Sequence, residues 1–124
     1  MTTQLAASPL AYRQNAILAA SPGRLVVMLY DGARRFLHQA SAAMAEQEIA
    51  ASHYKLRRAE NIIIHLRETL DMDQGEVAER LASIYRFCQR HLMQARVERS
   101  PEKIQQVSDL LGELRDAWAR IAEE

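Results

Sequence analysis

Apolar residues recur every three or four positions over most of this chain, and polar residues fill the positions between them. This spacing places the apolar side chains on one face of a helix, whereas a strand would alternate every second position. Breaks in the pattern divide the chain into four helical segments, 21–46, 49–70, 74–98 and 101–122. Because short connections between long helices favour antiparallel neighbours, the pattern predicts an all-α fold, an antiparallel up-down-up-down four-helix bundle.

The apolar stripe of each segment is its predicted core face. In the four segments in turn, it comprises Leu25, Met28, Leu29, Gly32, Phe36, Ala40 and Ala43; Leu56, Ala59, Ile62 or Ile63, Leu66 and Leu70; Val77, Leu81, Ile84 or Tyr85, Cys88, Leu92 and Ala95; and Ile104, Val107, Leu111, Leu114, Trp118 and Ile121. Glycine inside a helix costs up to about 1 kcal/mol relative to alanine. We therefore expect Gly32 to allow the close approach of a neighbouring backbone.

Serine–proline pairs mark two helix starts. Ser21 and Ser100 are N-cap candidates, since a serine hydroxyl accepts a hydrogen bond from a backbone N–H of the first turn. Pro22 and Pro101 then take the first helical position, where a missing N–H leaves no bond unmade. These four residues are the predicted helix caps.

Some segments are apolar on more sides than one core contact requires. Leu25–Tyr30 is an unbroken apolar or aromatic run, and at about 100° per residue it encircles a helix. Ile62–Ile64 covers more than one face, and Leu110, Leu114 and Trp118 exceed a narrow stripe. Wide core stripes explain any one of these residues. Taken together, the excess predicts an apolar groove for a partner segment.

Composition limits the fold and the partners. A chain of 124 residues with 48% hydrophobic residues forms one domain with a packed core. Sixteen basic residues balance sixteen acidic ones, which argues against nucleic acid or an anionic membrane as the main partner. The pairs Arg34-Arg35 and Arg57-Arg58 are expected to be solvated helix faces.

Cysteine usage and the absence of targeting patterns favour a cytoplasmic location. Cys88 is the single cysteine and cannot form an internal disulfide, which fits a reducing compartment. The first residues lack the basic start of a signal peptide, and Arg13 with Gln14 and Asn15 interrupts its apolar part. No apolar run approaches the length of a membrane span, so we expect no direct membrane insertion.

The candidate chemistry of a bundle enzyme is not supported. A di-iron site needs Glu-x-x-His pairs, and no glutamate stands three positions before His38, His53, His65 or His91. Cys88 and His91 provide half of a zinc site, without a visible second half. No glycine-rich phosphate loop occurs. We therefore expect no catalytic residues, no metal and no cofactor.

Four blocks of sequence, in order, match one known family. They are Ala20-Ser21-Pro22 with Leu25 and Met28-Leu29-Tyr30-Asp31-Gly32; Arg58-Ala59 with Ile62-Ile63; Leu70-Asp71, Gly75-Glu76-Val77-Ala78, Leu81 and Ile84-Tyr85; and Leu110-Leu111, Glu113-Leu114-Arg115, Ala117-Trp118 and Ile121. From Tyr12 to Ile121, the chain resembles the FliS family of flagellin-specific export chaperones. Arg80 and Arg86 depart from the pattern of that family and put in doubt any polar contact inherited there.

The resemblance implies a function and a domain division. A member of this family is a cytosolic export chaperone that binds the C-terminal segment of flagellin and prevents its premature polymerisation. With its cargo it docks to the export-gate protein FlhA of the flagellar type III system. The implied organisation is a short, mobile N-terminal cap segment, residues 1–20, followed by the four-helix bundle, residues 21–124.

The resemblance and the apolar excess together suggest site residues. Tyr12 is assigned to the cap and to docking at the export gate. The residues expected to cover, line or contact the groove are Ile17, Leu18, Leu25, Val26, Met28, Leu29, Ile63, Ile64, Leu110, Leu114 and Trp118. Two alternatives remain: a structural helical subunit that self-associates through the same apolar surfaces, and a redox or metal bundle enzyme.

Overall fold

The computed structural model describes residues 22–122, which form four long helices and one short 3₁₀ helix. There is no strand in this range, so the prediction of an all-α fold is confirmed. The helices are α1 (Pro22–Ala45), α2 (Ile49–Glu68), α3 (Glu76–Glu98) and α4 (Pro101–Ala122), with the 3₁₀ helix Met72–Gln74 between α2 and α3. The predicted cap segment, residues 1–20, lies outside the described residues.

Each helix packs against its neighbours in sequence, and α4 also packs against α1. The predicted four-helix bundle is therefore confirmed, with the helices arranged around the core in chain order. One end of the bundle, named here the Pro22 end, gathers the start of α1, the connection 69–75 and the end of α4. The two helix ends touch there, because a Cβ built on Gly23 would lie 3.3 Å from the Cβ of Ala122.

The serine and proline pair at the start of α4 has the predicted capping geometry. The Ser100 hydroxyl accepts a hydrogen bond from the backbone N–H of Lys103 at 3.1 Å. Pro101 is the first residue of α4, as Pro22 is of α1. Ser21, the other predicted cap, lies outside the described residues.

The core is formed by side chains from all four helices. Fully or almost fully buried are Tyr30, Ala33, Leu37 and Ala40; Leu56, Ala59, Ile63 and Leu66; Tyr85, Cys88, Leu92 and Ala95; and Ile104, Val107 and Leu111. On α2, α3 and α4 these are residues of the predicted stripes. Val77 and Ile121 were predicted to be buried but are 64% and 59% exposed. Both lie in terminal helical turns, where fewer neighbouring side chains cover them.

The side of α1 that faces the core differs from the predicted one. Leu25, Met28 and Phe36 are half-buried, and the buried centre is formed by Tyr30, Ala33 and Leu37. The apolar positions of α1 are numerous enough to form two overlapping stripes, and periodicity alone does not choose between them. The structure directs the Tyr30 stripe into the core and leaves the Phe36 stripe beside α2.

Gly32 does not serve the close backbone approach that the sequence suggested. A Cβ built there would lie 3.5 Å from Cδ1 of Ile62, which is an ordinary contact with a side chain. Gly32→Ala should therefore stabilise the bundle by about 0.5–1 kcal/mol through helix propensity. Gly32→Leu should destabilise it, because the longer side chain must displace Ile62. Urea denaturation measures both, and a lower midpoint for the alanine variant would contradict this account.

One arginine of each pair predicted to be solvated contributes to a contact between helices. Arg34 lies across Gly112 of α4, where an added Cβ would come within 2.9 Å of its Cζ, and its Nε donates to the Ser108 hydroxyl at 3.3 Å. The Arg58 guanidinium lies over the Phe36 ring, 4.8 Å from the centroid. The expectation of a solvated face holds for the other arginine of each pair, since both are exposed.

Candidate binding cavity

An apolar cavity of about 250 Å³ opens at the Pro22 end of the bundle. An apolar cavity of about 150 Å³ already holds a benzene molecule, so this one has room for a large side chain. All four helices and the connection between α2 and α3 contribute to its wall. The lining residues are Val26, Leu66, Thr69, Leu70, Asp71, Gln74, Val77, Ala78, Leu81, Tyr85 and Trp118.

The connection from α2 to α3 forms the polar part of the rim. It spans residues 69–75 and is longer than the connections 46–48 and 99–100 at the opposite end. The Asp71 carboxylate accepts a hydrogen bond from the Asp73 N–H at 3.0 Å and caps the 3₁₀ helix. Gly75 then turns the chain into α3 with a φ of 67°, a conformation that costs glycine nothing. The rim is thus a hydrogen-bonded turn whose polar groups lie beside the apolar interior of the cavity.

Two tyrosines meet beneath the cavity. Tyr30 and Tyr85 are 0% and 1% exposed, and their hydroxyl groups are hydrogen-bonded to each other. Burial raises the pKa of both phenols, so both remain protonated at neutral pH. Cys88 is fully buried on the same face of α3, and burial raises the pKa of its thiol to about 12. At neutral pH, these three side chains are therefore all uncharged.

The structure brings two of the predicted site residues together in the cavity wall. Val26 and Trp118 come from opposite ends of the described chain, and both line the cavity. Leu25, Met28 and Leu29 are half-buried on the same part of α1. These three residues do not line the cavity.

Other predicted groove residues lie elsewhere. Ile63 is fully buried in the core, so it offers no surface to a partner, and we remove it from the candidate contacts. Ile64 is half-buried on α2, and Leu110 and Leu114 pack partly buried against the core on α4. None of these three lines the cavity. The remaining predicted residues, Tyr12, Ile17 and Leu18, lie outside the described residues.

Much of the cavity wall was absent from the predicted site. Leu66, Leu70, Val77, Leu81 and Tyr85 had been assigned to the core stripes alone. The sequence does contain a usable signal, because these stripes continue to the helix ends on both sides of the break at 71–75. Apolar positions in the last turn before a break and the first turn after it have no further helical layer to cover them.

Two further properties concern the described range, 22–122. None of its helices is both long enough and apolar enough to cross a bilayer. Within the same range, histidine, cysteine and acidic side chains form no group of three or more that could hold a metal ion.

The bundle and its cavity define a class of protein: a small helical bundle with an apolar cavity at one end. The sequence matches the family described as Flagellar protein FliS over residues 5–124, and the chain belongs to that family.

Curated relatives agree with this family assignment. Proteins named flagellar secretion chaperone FliS from Salmonella typhimurium and Bacillus subtilis are 33% identical over 111 residues and 32% identical over 108 residues. These matches cover 88% and 87% of this chain and 82% and 80% of the two relatives. A protein of the same name from Vibrio cholerae is 36% identical over 107 residues, covering 86% of this chain and 79% of that protein.

Proposed function

We propose that this protein is a cytoplasmic export chaperone that binds the C-terminal segment of flagellin. It prevents premature polymerisation and delivers the segment to the flagellar type III export gate, through the gate protein FlhA. Family membership and the names of the relatives support a role in flagellar secretion. The observation that carries the binding proposal is the apolar cavity at the Pro22 end.

The physical logic of the proposal lies in the exchange of apolar contacts. A segment that assembles through apolar helical faces self-associates unless those faces are covered. The cavity and the half-buried edge of α1 offer equivalent apolar surface, and the client folds as it binds. The ordering entropy of the client reduces the net affinity, which suits a cargo that must be released. An ordinary interface of about 1,600 Å² is sufficient.

The client contacts are proposed to centre on the cavity. Val26, Leu81 and Trp118 belong to its wall and would hold the anchoring side chain. Leu25, Met28 and Leu29 extend the apolar surface along α1. The half-buried residues Ile64, Leu110 and Leu114 remain secondary candidates for a client that wraps around the bundle.

Residues 1–20 are proposed to be a separate cap segment, in which Ile17 and Leu18 compete with the client and Tyr12 serves docking to FlhA. This segment joins the bundle at Pro22, the end at which the cavity opens. Deleting residues 1–18 should therefore raise the affinity for the client, by about five- to tenfold if the lost competition is worth about 1–1.4 kcal/mol. Isothermal titration calorimetry measures the change. Unchanged or weaker binding would count against competition.

The function itself is tested by titrating the full chain with the C-terminal segment of flagellin from the same organism. Heat and helicity are followed together, and the N-terminal segment of flagellin serves as the control. One-to-one binding with a gain in helicity, seen only with the C-terminal segment, is the expected result. Absence of binding at tens of micromolar would reject the proposal, and concentration-dependent self-association without client would favour a structural subunit.

A further inference from the structure

The tyrosine pair beneath the cavity has one hydroxyl proton more than its own hydrogen bond uses. Tyr30 and Tyr85 each carry one O–H donor, and a single hydrogen bond between the two oxygens uses one of the two protons. The other proton has no acceptor among residues 22–122, since neither hydroxyl makes a second hydrogen bond to an oxygen in that range. Both rings are buried in the core. One buried donor is therefore available.

The position of the pair indicates which tyrosine can offer its proton to an occupant. Either hydroxyl can be the donor in the bond between them. Because a hydroxyl proton rotates to suit its partners, an acceptor in the cavity would draw the Tyr85 proton toward itself while Tyr30 donates to the oxygen of Tyr85. The proton of Tyr85 is then the one left over. Of the two tyrosines, Tyr85 is also the one that lines the cavity.

A donor of this kind changes what the cavity binds best. An entirely apolar occupant would exclude water and leave the O–H unpaired, which is unfavourable for a buried polar group. An occupant that places an oxygen beside its apolar side chain satisfies the donor. Sites built to pair a polar group reject analogues that lack it more strongly than apolar pockets discriminate by size.

We propose that the Tyr85 hydroxyl selects the client by donating a hydrogen bond to a carbonyl oxygen next to the apolar side chain that fills the cavity. This inference rests on the proposed function, and the occupant is the C-terminal segment of flagellin. A suitable oxygen belongs to the last turn of a client helix, whose carbonyls have no partner within the helix. The side-chain amide of asparagine or glutamine offers the same chemistry.

Two variants of equal size test this role. Tyr85→Phe and Tyr30→Phe each remove one oxygen and break the same hydrogen bond, so their thermal midpoints report the shared structural cost. Tyr30→Phe leaves the Tyr85 donor in place. We expect Tyr85→Phe to bind the C-terminal flagellin segment about five- to tenfold more weakly than the wild type, and Tyr30→Phe to stay within about twofold of it. The double variant should match Tyr85→Phe, because it lacks the same donor.

The outcomes separate this inference from the function on which it rests. Equal weakening by the two single variants would assign the effect to the structure of the pair and overturn the inference. Unchanged affinity for Tyr85→Phe, with normal binding by the wild type, would also overturn it while the proposed function stands. Absence of binding by the wild type would instead reject the proposed function, and the inference with it.

Discussion

Val77→Glu should weaken binding of the flagellin segment by at least about tenfold while leaving the bundle folded. Val77 is 64% exposed and lines the cavity, so a carboxylate there meets the bound client without weakening the core. A client would bury that charge in apolar surroundings, which is costly without a partner. The thermal midpoint should hardly change, since exposed substitutions usually alter stability by no more than about 0.5 kcal/mol. Calorimetric titration and thermal unfolding measure the two effects.

Val97 provides a matched control on the same helix. It is 78% exposed, belongs to the last turns of α3 and does not line the cavity. Val97→Glu introduces the same charge into the same residue type at the opposite end of the bundle, and it should leave client affinity unchanged. If the two variants bind the client equally well, the cavity is not where the client docks.

Stability should fall as the pH rises from 9 to 12, because a buried thiol and two buried phenols resist ionisation in the folded state. The thiol pKa of Cys88 is raised from its ordinary value of 9.0 to about 12. Below pH 9 its stabilising contribution is complete, and it is lost as the unfolded chain ionises first. The loss reaches on the order of 4 kcal/mol by pH 12. Tyr30 and Tyr85 add to it above pH 10, their pKa being raised from 10.0 by burial.

Cys88→Ala separates the thiol from the phenols. At neutral pH the variant should be less stable by about 1 kcal/mol, because the fully buried sulfur leaves a small void. Its free energy of unfolding should then stay constant until the phenols begin to ionise. The two curves from urea denaturation should therefore cross between pH 9 and 12. Parallel curves would show that Cys88 ionises equally in both states.

The number of helices, their order and the caps of α4 were predictable, since they depend on local periodicity and on short-range hydrogen bonds. The side of α1 that faces the core could not be predicted in this way. Tyr30 enters the core because Tyr85 of α3 satisfies its hydroxyl, and that pairing joins residues far apart in sequence. The role of Gly32 was also misjudged, because the identity of its neighbour depends on how α2 packs.

The candidate site was predictable in its character and only partly in its residues. An excess of apolar positions predicted an apolar groove, and Val26 and Trp118 are the two predicted residues that line the cavity. Ile63, which was also counted among the surplus apolar residues, is instead fully buried in the core. The cavity lies where the helices end, so its wall depends on where each of the four helices ends along the bundle axis. The periodicity of the sequence carries no information about these positions.

The contact between Gly23 and Ala122 brings the start of α1 next to the end of α4. The first and last helices meet there, so in a variant that lacks residues 1–21 and 123–124 a short covalent link between residues 122 and 22 would bridge a small gap. New termini would then lie naturally in the exposed connection 46–48, at the opposite end. Such a circular permutant would keep every helix pair, and the helix ends at Pro22 and Ala122 would be joined by a second loop beside the cavity. The architecture therefore depends on which helices are neighbours, and the position of the chain break determines only what can be tethered beside the cavity.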